Sequence, residues 1–231
     1  MALALAKEGA SLALVSRDRG KLESVASEAV AAQPDCAARI FVADVSREAD
    51  VARLQSEVAA AFPRVDILVN NAGINIRKNL TDFTLDEWSS VQNTNVTAVF
   101  LMCRAFIPVM KGAGYGRILN MTSIMSHVSM PMRTAYSTSK AALLGMTKAL
   151  ALELAPDAIT VNGISPGPFA TEMNLPLTQD PVLNAQFISR VPAGRWGKVE
   201  EIGQLAVYLC SEDAGFITGT DILIDGGWCA Q

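Results

Sequence analysis

The sequence predicts an α/β fold, a doubly wound and mostly parallel sheet with helices on both faces. Three observations carry this expectation. Short apolar runs alternate with longer stretches whose apolar residues recur at helical spacing. The segments between successive runs are long enough for the crossover helices that parallel strands need. Polar clusters follow the runs: Ser16-Arg17, Asp44, Asn70 to Gly73, Ser123 and Pro166-Gly167. In such a sheet they converge at the carboxyl ends of the strands, where open α/β sheets bind ligands.

Taken in order, Met1 to Gly9 is rich in Ala and Leu and ends on glycine, which suits a helix terminus. Ser11 to Ser16 reads as a buried strand, 18–32 as a helix before Pro34, Ala38 to Ala43 as the second strand, and 47–61 as a helix. Asp66 to Asn70 is a third strand that runs into Asn71-Ala72-Gly73. A single long helix is predicted from Leu85 to Met110. Arg117 to Met121 is the fourth strand, 134–154 a helix, and Ile159 to Gly163 the fifth strand. Residues 166–195 hold several prolines and read as a long loop with short helical pieces, of the kind that forms a lid. Glu200 to Cys210 is helix, and Asp221 to Asp225 is a last short strand before Gly226-Gly227. No repeat, low-complexity tract or linker divides residues 1–231, which predicts one domain.

Composition excludes several classes of function. Half the residues are hydrophobic and 18% are charged, which argues against disorder. A net charge of -4 without a basic run offers no footprint for nucleic acid or for an anionic membrane surface. The opening Met1 to Ala6 lacks a basic leader and is interrupted by Lys7-Glu8, so it reads as helix rather than signal peptide. No run of 18 apolar residues predicts a membrane span. Cys36, Cys103, Cys210 and Cys229 have no CxxC spacing and read as free thiols in a reducing compartment, the cytoplasm. His127 is the only histidine and has no ligand partners nearby in sequence, so no metal site is expected.

Chemistry centres on Tyr136-Ser-Thr-Ser-Lys140. The i, i+4 spacing puts Tyr136 and Lys140 on one helix face. A nearby ammonium favours the phenolate of a tyrosine whose ordinary pKa is about 10. Bringing it to neutrality requires about 4 kcal/mol of differential stabilisation, at about 1.36 kcal/mol per pH unit. That would make Tyr136 a usable general acid/base, and Ser123 could supply a hydroxyl to the same reacting oxygen; the spacing alone is common in helices, and the rest of the chain must carry the assignment.

In its ordered motifs the whole chain resembles the short-chain dehydrogenase/reductase family. These are Asn70-Asn71-Ala72-Gly73, Asn95 after Trp88, Ser123, Tyr136-xxx-Lys140, Pro166-Gly167 with Thr171, and the tail Gly219-Thr-Asp-Ile-Leu-Ile-Asp-Gly-Gly227. The resemblance implies a Rossmann-type sheet and hydride transfer between a nicotinamide and a carbonyl or secondary alcohol. It implies Tyr136 as proton carrier, Ser123 as orienter of the reacting oxygen, and Lys140 as binder of the nicotinamide ribose that also lowers the Tyr136 pKa. Asn95 would hold a water in a proton relay. For the cofactor it implies Asp44 and Val45 near the adenine, and Asn71, Ala72 and Gly73 beside the adenosine ribose. Pro166, Gly167 and Thr171 would flank the nicotinamide and pyrophosphate. Where the family usually carries an acidic residue for NAD, this chain has Ser16-Arg17, which suits the 2′-phosphate of NADP over NAD. His127, Arg133, Met173 and Trp196 are the candidate substrate contacts, with Met173 to Ile188 as the lid. Asn75-Ile-Arg-Lys78 and Gly194-Arg-Trp-Gly197 resemble the branch acting on sugar acids and polyols, with 3-oxoacyl-carrier-protein reductases as the alternative. A homo-oligomer, tetramer or dimer, is implied as well.

The chain departs from the family at its start. It has neither the first strand nor the Gly-rich turn that cradles pyrophosphate, a difference of roughly 25 residues. The absent strand belongs between the strands at 11–16 and 66–70, so a sheet that closes up, a split sheet and an incomplete sequence are the three expectations, and a misplaced start is the leading one. The corresponding alternative for function is a non-catalytic protein of the same fold with weak cofactor binding, acting through association.

Overall fold

The computed structural model describes residues 1–171, 174 and 179–231. The helix α1 (Ala2–Lys7) leads into β1 (Leu12–Ser16), α2 (Arg19–Ala32), β2 (Ala38–Val42), α3 (Glu48–Ala61) and β3 (Ile67–Asn70). Next come α4 (Leu85–Gln92), α5 (Ala98–Met110), β4 (Gly116–Met121), α6 (Thr134–Leu154) and β5 (Ile159–Pro166). The described chain ends with α7 (Pro181–Ile188), α8 (Val199–Cys210) and β6 (Asp221–Ile224).

Local chemistry sets several of these starts. Asp18 caps α2 by accepting from Lys21 N at 3.1 Å. Thr84 and Glu87 form a reciprocal capping box at α4. Asp180 accepts from Val182 N and Leu183 N, and Pro181 occupies the first turn of α7, where its missing N–H is harmless.

All strand pairs among the described residues are parallel. One ladder joins β1 to β2, and a second runs β3-β4-β5-β6 in that order. Side chains alternate between two cores, as the period of two requires. On one face Leu68, Ile118, Ile159 and Val161 pack with Phe41 and with Leu54, Phe106, Met110, Leu143 and Leu154 from the helices. On the other, Leu12, Leu119, Met121 and Ile164 pack with Leu5, Ala29, Ile202, Ala206 and Leu209. Both cores span both ladders, so apolar burial holds together what backbone hydrogen bonding leaves divided. The sheet is split between β1 and β3, one of the three expected outcomes.

Two predicted elements need correction. The helix read as continuous from Leu85 to Met110 is interrupted by a π-helical turn at Asn93–Thr97. Asn93-Thr-Asn-Val-Thr97 are poor helix formers, and the wider turn swings Asn95 inward, where it is fully buried. This 26-residue stretch is apolar enough on composition to cross a membrane, yet Val91, Val99, Leu101, Cys103, Phe106 and Met110 are buried within the fold. The second correction is β5, which continues past Gly163 to Pro166 and so brings Ser165 into the ladder beside Asp221 of β6. The thiols of Cys36, Cys103, Cys210 and Cys229 are free, and burial pushes Cys103 up to about 11 and Cys210 up to about 12.

Candidate active site

The rim at the carboxyl ends of the strands receives the polar residues in the predicted order. Ser16 ends β1, Asp44 lies two residues past β2, Asn71 to Gly73 follow β3, Ser123 follows β4, and Pro166-Gly167 end β5. Beneath this rim a buried polar ladder ties α6 to the sheet. Asn70 Nδ2 donates to Asn120 Oδ1 at 2.9 Å, and Asn120 Nδ2 donates to Thr147 Oγ1 at 2.9 Å. The ladder sets the height of α6, and with it the height of Tyr136 and Lys140.

Ser123 leaves β4 in extended conformation and caps a short turn, Ile124–Ser126, its Oγ accepting from Met125 N at 3.1 Å. The Ser123 side chain acts on the Tyr136 phenol, lowering its pKa. Burial pushes the Tyr136 phenol above its ordinary value, while Ser123 and the Arg133 charge pull it down. Lys140 is buried with its Nζ 5.8 Å from the Tyr136 ring centroid, donating to the Met121 carbonyl at 2.5 Å. Desolvation lowers Lys140 to about 8. Ser123 and Arg133 supply the downward pull on Tyr136, and the Lys140 ammonium donates to a backbone carbonyl.

Asn95 links three segments. Its Oδ1 accepts from Ile74 N at 2.8 Å, and its Nδ2 donates to Ile74 O and to Ser139 Oγ, both at 2.9 Å. Ser139 Oγ donates in turn to the Tyr136 carbonyl at 2.7 Å. A Cβ at Gly73 would stand 3.4 Å from both Asn95 Oδ1 and Lys140 Nζ, so this glycine brings backbone close to the lysine.

A second network, missed from the sequence, lies under Ser123. Thr122 Oγ1 donates to Asp221 Oδ1 at 2.5 Å, Ser165 Oγ donates to Asp221 Oδ2 at 2.5 Å, and His127 Nε2 lies 2.6 Å from Asp221 Oδ2. Gly163 makes this possible, because a Cβ there would overlap the Asp221 carboxylate. Asp221 thus pins the ends of β4, β5 and β6 together and holds His127, which sequence reading assigned only to the substrate pocket. Asp221→Ala is expected to lower stability by about 2–4 kcal/mol, because a buried acceptor of several hydrogen bonds is lost. Urea unfolding checks this, with Asp221→Asn expected to lose less.

The remaining predicted residues are placed as follows. Arg17 Nη1 is 3.9 Å from Asp44 Oδ2 in an exposed pair. Asp44 accepts from Ser46 Oγ at 2.6 Å and Ser46 N at 3.0 Å, and the Ser46 hydroxyl is the main cause of its lowered pKa. Val45 is half-buried next to it. Ser16 Oγ accepts from Asp18 N at 3.1 Å. Gly167 N donates to Ile224 O, and Thr171 N to Phe169 O, both at 2.9 Å. The Trp196 ring stacks on Phe187 of α7, with centroids 5.2 Å apart, and its Nε1 donates to Asn184 at 2.7 Å. That makes it an anchor of the 181–196 segment. Met173 lies outside the described residues, as does part of the predicted lid. Among the described residues, no three His, Cys, Asp or Glu side chains are grouped to hold a metal ion.

The sequence profile of the family described as "Enoyl-(Acyl carrier protein) reductase" matches residues 1–229. The chain belongs to the short-chain dehydrogenase/reductase family. This short-chain dehydrogenase/reductase is 37% identical over 199 residues to the D-beta-hydroxybutyrate dehydrogenase of Rhizobium meliloti (strain 1021), covering 82% of this chain and 77% of that protein. It is 34% identical over 227 residues to the gluconate 5-dehydrogenase of Gluconobacter oxydans (strain 621H), covering 98% and 88%. Among solved structures, the gluconate 5-dehydrogenase of Burkholderia cenocepacia J2315 in complex with NADP and tartrate superimposes with a TM-score of 0.92 at 33% identity, covering 100% of this chain and 90% of that one.

Proposed function

We propose that the protein is an NADP-dependent oxidoreductase that moves a hydride between the nicotinamide and a carbonyl or secondary alcohol of a small sugar acid, polyol or similar substrate. The observation that carries this reading is the convergence of Ser123, Tyr136 and Lys140 at the strand rim, with Asn95 bracing both α6 and the Ile74 backbone. The similarity to gluconate 5-dehydrogenases, one of them solved with NADP and tartrate, supports the substrate class.

The residues present suit a nicotinamide dinucleotide at its two ends. Gly73 leaves room for close backbone approach beside Lys140, and Arg17 offers an exposed guanidinium beside Asp44. Ser16, Arg17, Asp44 and Val45 would hold the adenosine end, Asn71 to Gly73 the adjoining ribose, and Lys140, Pro166, Gly167 and Thr171 the nicotinamide end. Bound nicotinamide supplies the hydride donor or acceptor. Tyr136 Oη carries the proton at the substrate oxygen, and Ser123 Oγ hydrogen-bonds to that oxygen as its charge changes. Phe100, Val109 and Leu152 are exposed on α5 and α6, which supports self-association through these helices.

Fluorescence titration with NADPH and NADH tests the cofactor. NADPH is expected to bind about 10- to 100-fold tighter than NADH, and Arg17→Ala to remove most of that preference, since a guanidinium–phosphate contact is a charge-assisted one. Tighter NADH binding in the unmodified protein would reject NADP as the cofactor. If neither nucleotide bound, the non-catalytic reading would take its place.

A further inference from the structure

Under the catalytic rim lies a polar cluster that the proposed reaction does not use. The Asp221 side chain is only 9% exposed, and three side chains meet its carboxylate. Thr122 Oγ1 reaches Oδ1 at 2.5 Å, while Ser165 Oγ at 2.5 Å and His127 Nε2 at 2.6 Å reach Oδ2. A carboxylate accepts hydrogen bonds, so Nε2 of His127 carries the ring proton that faces it. Desolvating a carboxylate is costly, and joining β5 to β6 does not require it. The backbone ladder already pairs Gly163 with Asp221, and Gly163 N donates to Thr220 O at 2.8 Å. What the carboxylate adds is a hold on the chain at both sides of Ser123. Thr122 is the residue before that serine, and His127 closes the turn that the serine opens.

The turn transmits this hold to the serine hydroxyl. Ser126 N donates to Ser123 O at 2.8 Å, and His127 N and Val128 N both donate to Ile124 O at 2.9 Å. Met125 N, inside the same turn, donates to Ser123 Oγ at 3.1 Å and so sets the direction of the side chain. With one lone pair taken by Met125 N, the hydroxyl keeps its own proton to donate. On the other side Thr122 N donates to Ile164 O at 2.9 Å, which fixes the end of β4. Asp221 therefore grips the two flanks of Ser123, one through Thr122 and one through His127.

We propose that Asp221 and His127 are positioning residues, a clamp on the Ser123 turn that aims the Ser123 hydroxyl at the reacting oxygen. His127 acts through the turn and not on the substrate. The clamp stands on these contacts alone, while the work assigned to Ser123 rests on the oxidoreductase reading.

A double-mutant cycle in kcat, with D-gluconate and NADP, tests this. Displacing a positioned group by a fraction of its contact distance costs about 10- to 100-fold in rate. His127→Ala is expected to lower kcat by that factor, with KM and NADPH affinity unchanged. His127→Gln, whose Nε2 can donate in place of the imidazole, should recover most of the loss. In Ser123→Ala, adding His127→Ala should cost less than about twofold more, because a group that acts through Ser123 has nothing left to position. Losses that multiply independently overturn the proposal. A loss confined to KM that persists in Ser123→Ala does the same, and makes His127 a substrate contact. Hydrogen exchange gives a readout free of turnover. The amides of Met125 to Val128 should exchange about 10- to 100-fold faster in His127→Ala and close to the unmodified rate in His127→Gln. Unchanged exchange in His127→Ala overturns the clamp. Faster exchange in a protein that turns over neither D-gluconate nor D-sorbitol keeps the clamp and rejects the proposed activity.

Discussion

Replacing Tyr136 by Phe is expected to lower kcat/KM about 100- to 10,000-fold while the protein still folds and binds nucleotide. On the proposed reading the phenol gives the proton to the substrate oxygen, and the hydroxyl of Ser123, a far weaker acid, cannot replace it. The variant removes a single hydroxyl and keeps the ring, so the structural loss is expected to be about 1 kcal/mol or less. The pH profile carries further information. Burial holds Tyr136 protonated above its ordinary range in the absence of ligands. Carbonyl reduction, which needs the acid, is therefore available at neutral pH, whereas alcohol oxidation needs the phenolate and should climb as pH rises. Because Arg133 pulls the phenol down, Arg133→Ala should move the oxidation limb to higher pH. An oxidation rate independent of pH across the alkaline range would exclude Tyr136 as the base.

Much of this site is legible because its residues lie close to strand ends. A parallel sheet brings the residues after each apolar run to one rim, so Asp44, Asn71 to Gly73, Ser123 and Gly167 could be placed from the alternation alone. Helical spacing put Tyr136 and Lys140 on one face, and the resemblance of the ordered motifs around them singled the pair out. What could not be read depends on contacts across long separations. Asp221 meets Thr122 and His127 from 99 and 94 residues away, and nothing near it in sequence marks it as the acceptor beneath Ser123. The π turn at Asn93–Thr97 was hidden because helical periodicity continues on either side of it.

Lys140→Met is expected to give a protein that is nearly inactive and yet more stable at neutral pH. In the folded state burial lowers Lys140 to about 8, against an ordinary value of 10.5. Below about pH 8 both folded and unfolded chains hold the proton, so the fold carries a desolvated ammonium. At about 1.36 kcal/mol per pH unit, that penalty is roughly 3 kcal/mol. Methionine is of similar length and removes it, leaving the Met121 carbonyl without its donor, a loss of about 1 kcal/mol. The net gain at pH 7 is then about 1–3 kcal/mol, measured as a shift in the urea midpoint. Between pH 8 and 10.5 the native protein releases the proton while the unfolded chain keeps it. Stability of the unmodified protein should therefore rise across that window, and this rise should be absent in the variant. Turnover should fall about 100- to 1,000-fold, because a preorganised cation beside the reacting centre is lost. A variant less stable at pH 7 would mean that the ammonium is better compensated than its single bond to Met121 implies. A stable, inactive variant would identify Lys140 as a charge held in the core against the interest of folding, which a purely structural lysine at this position would have no reason to be.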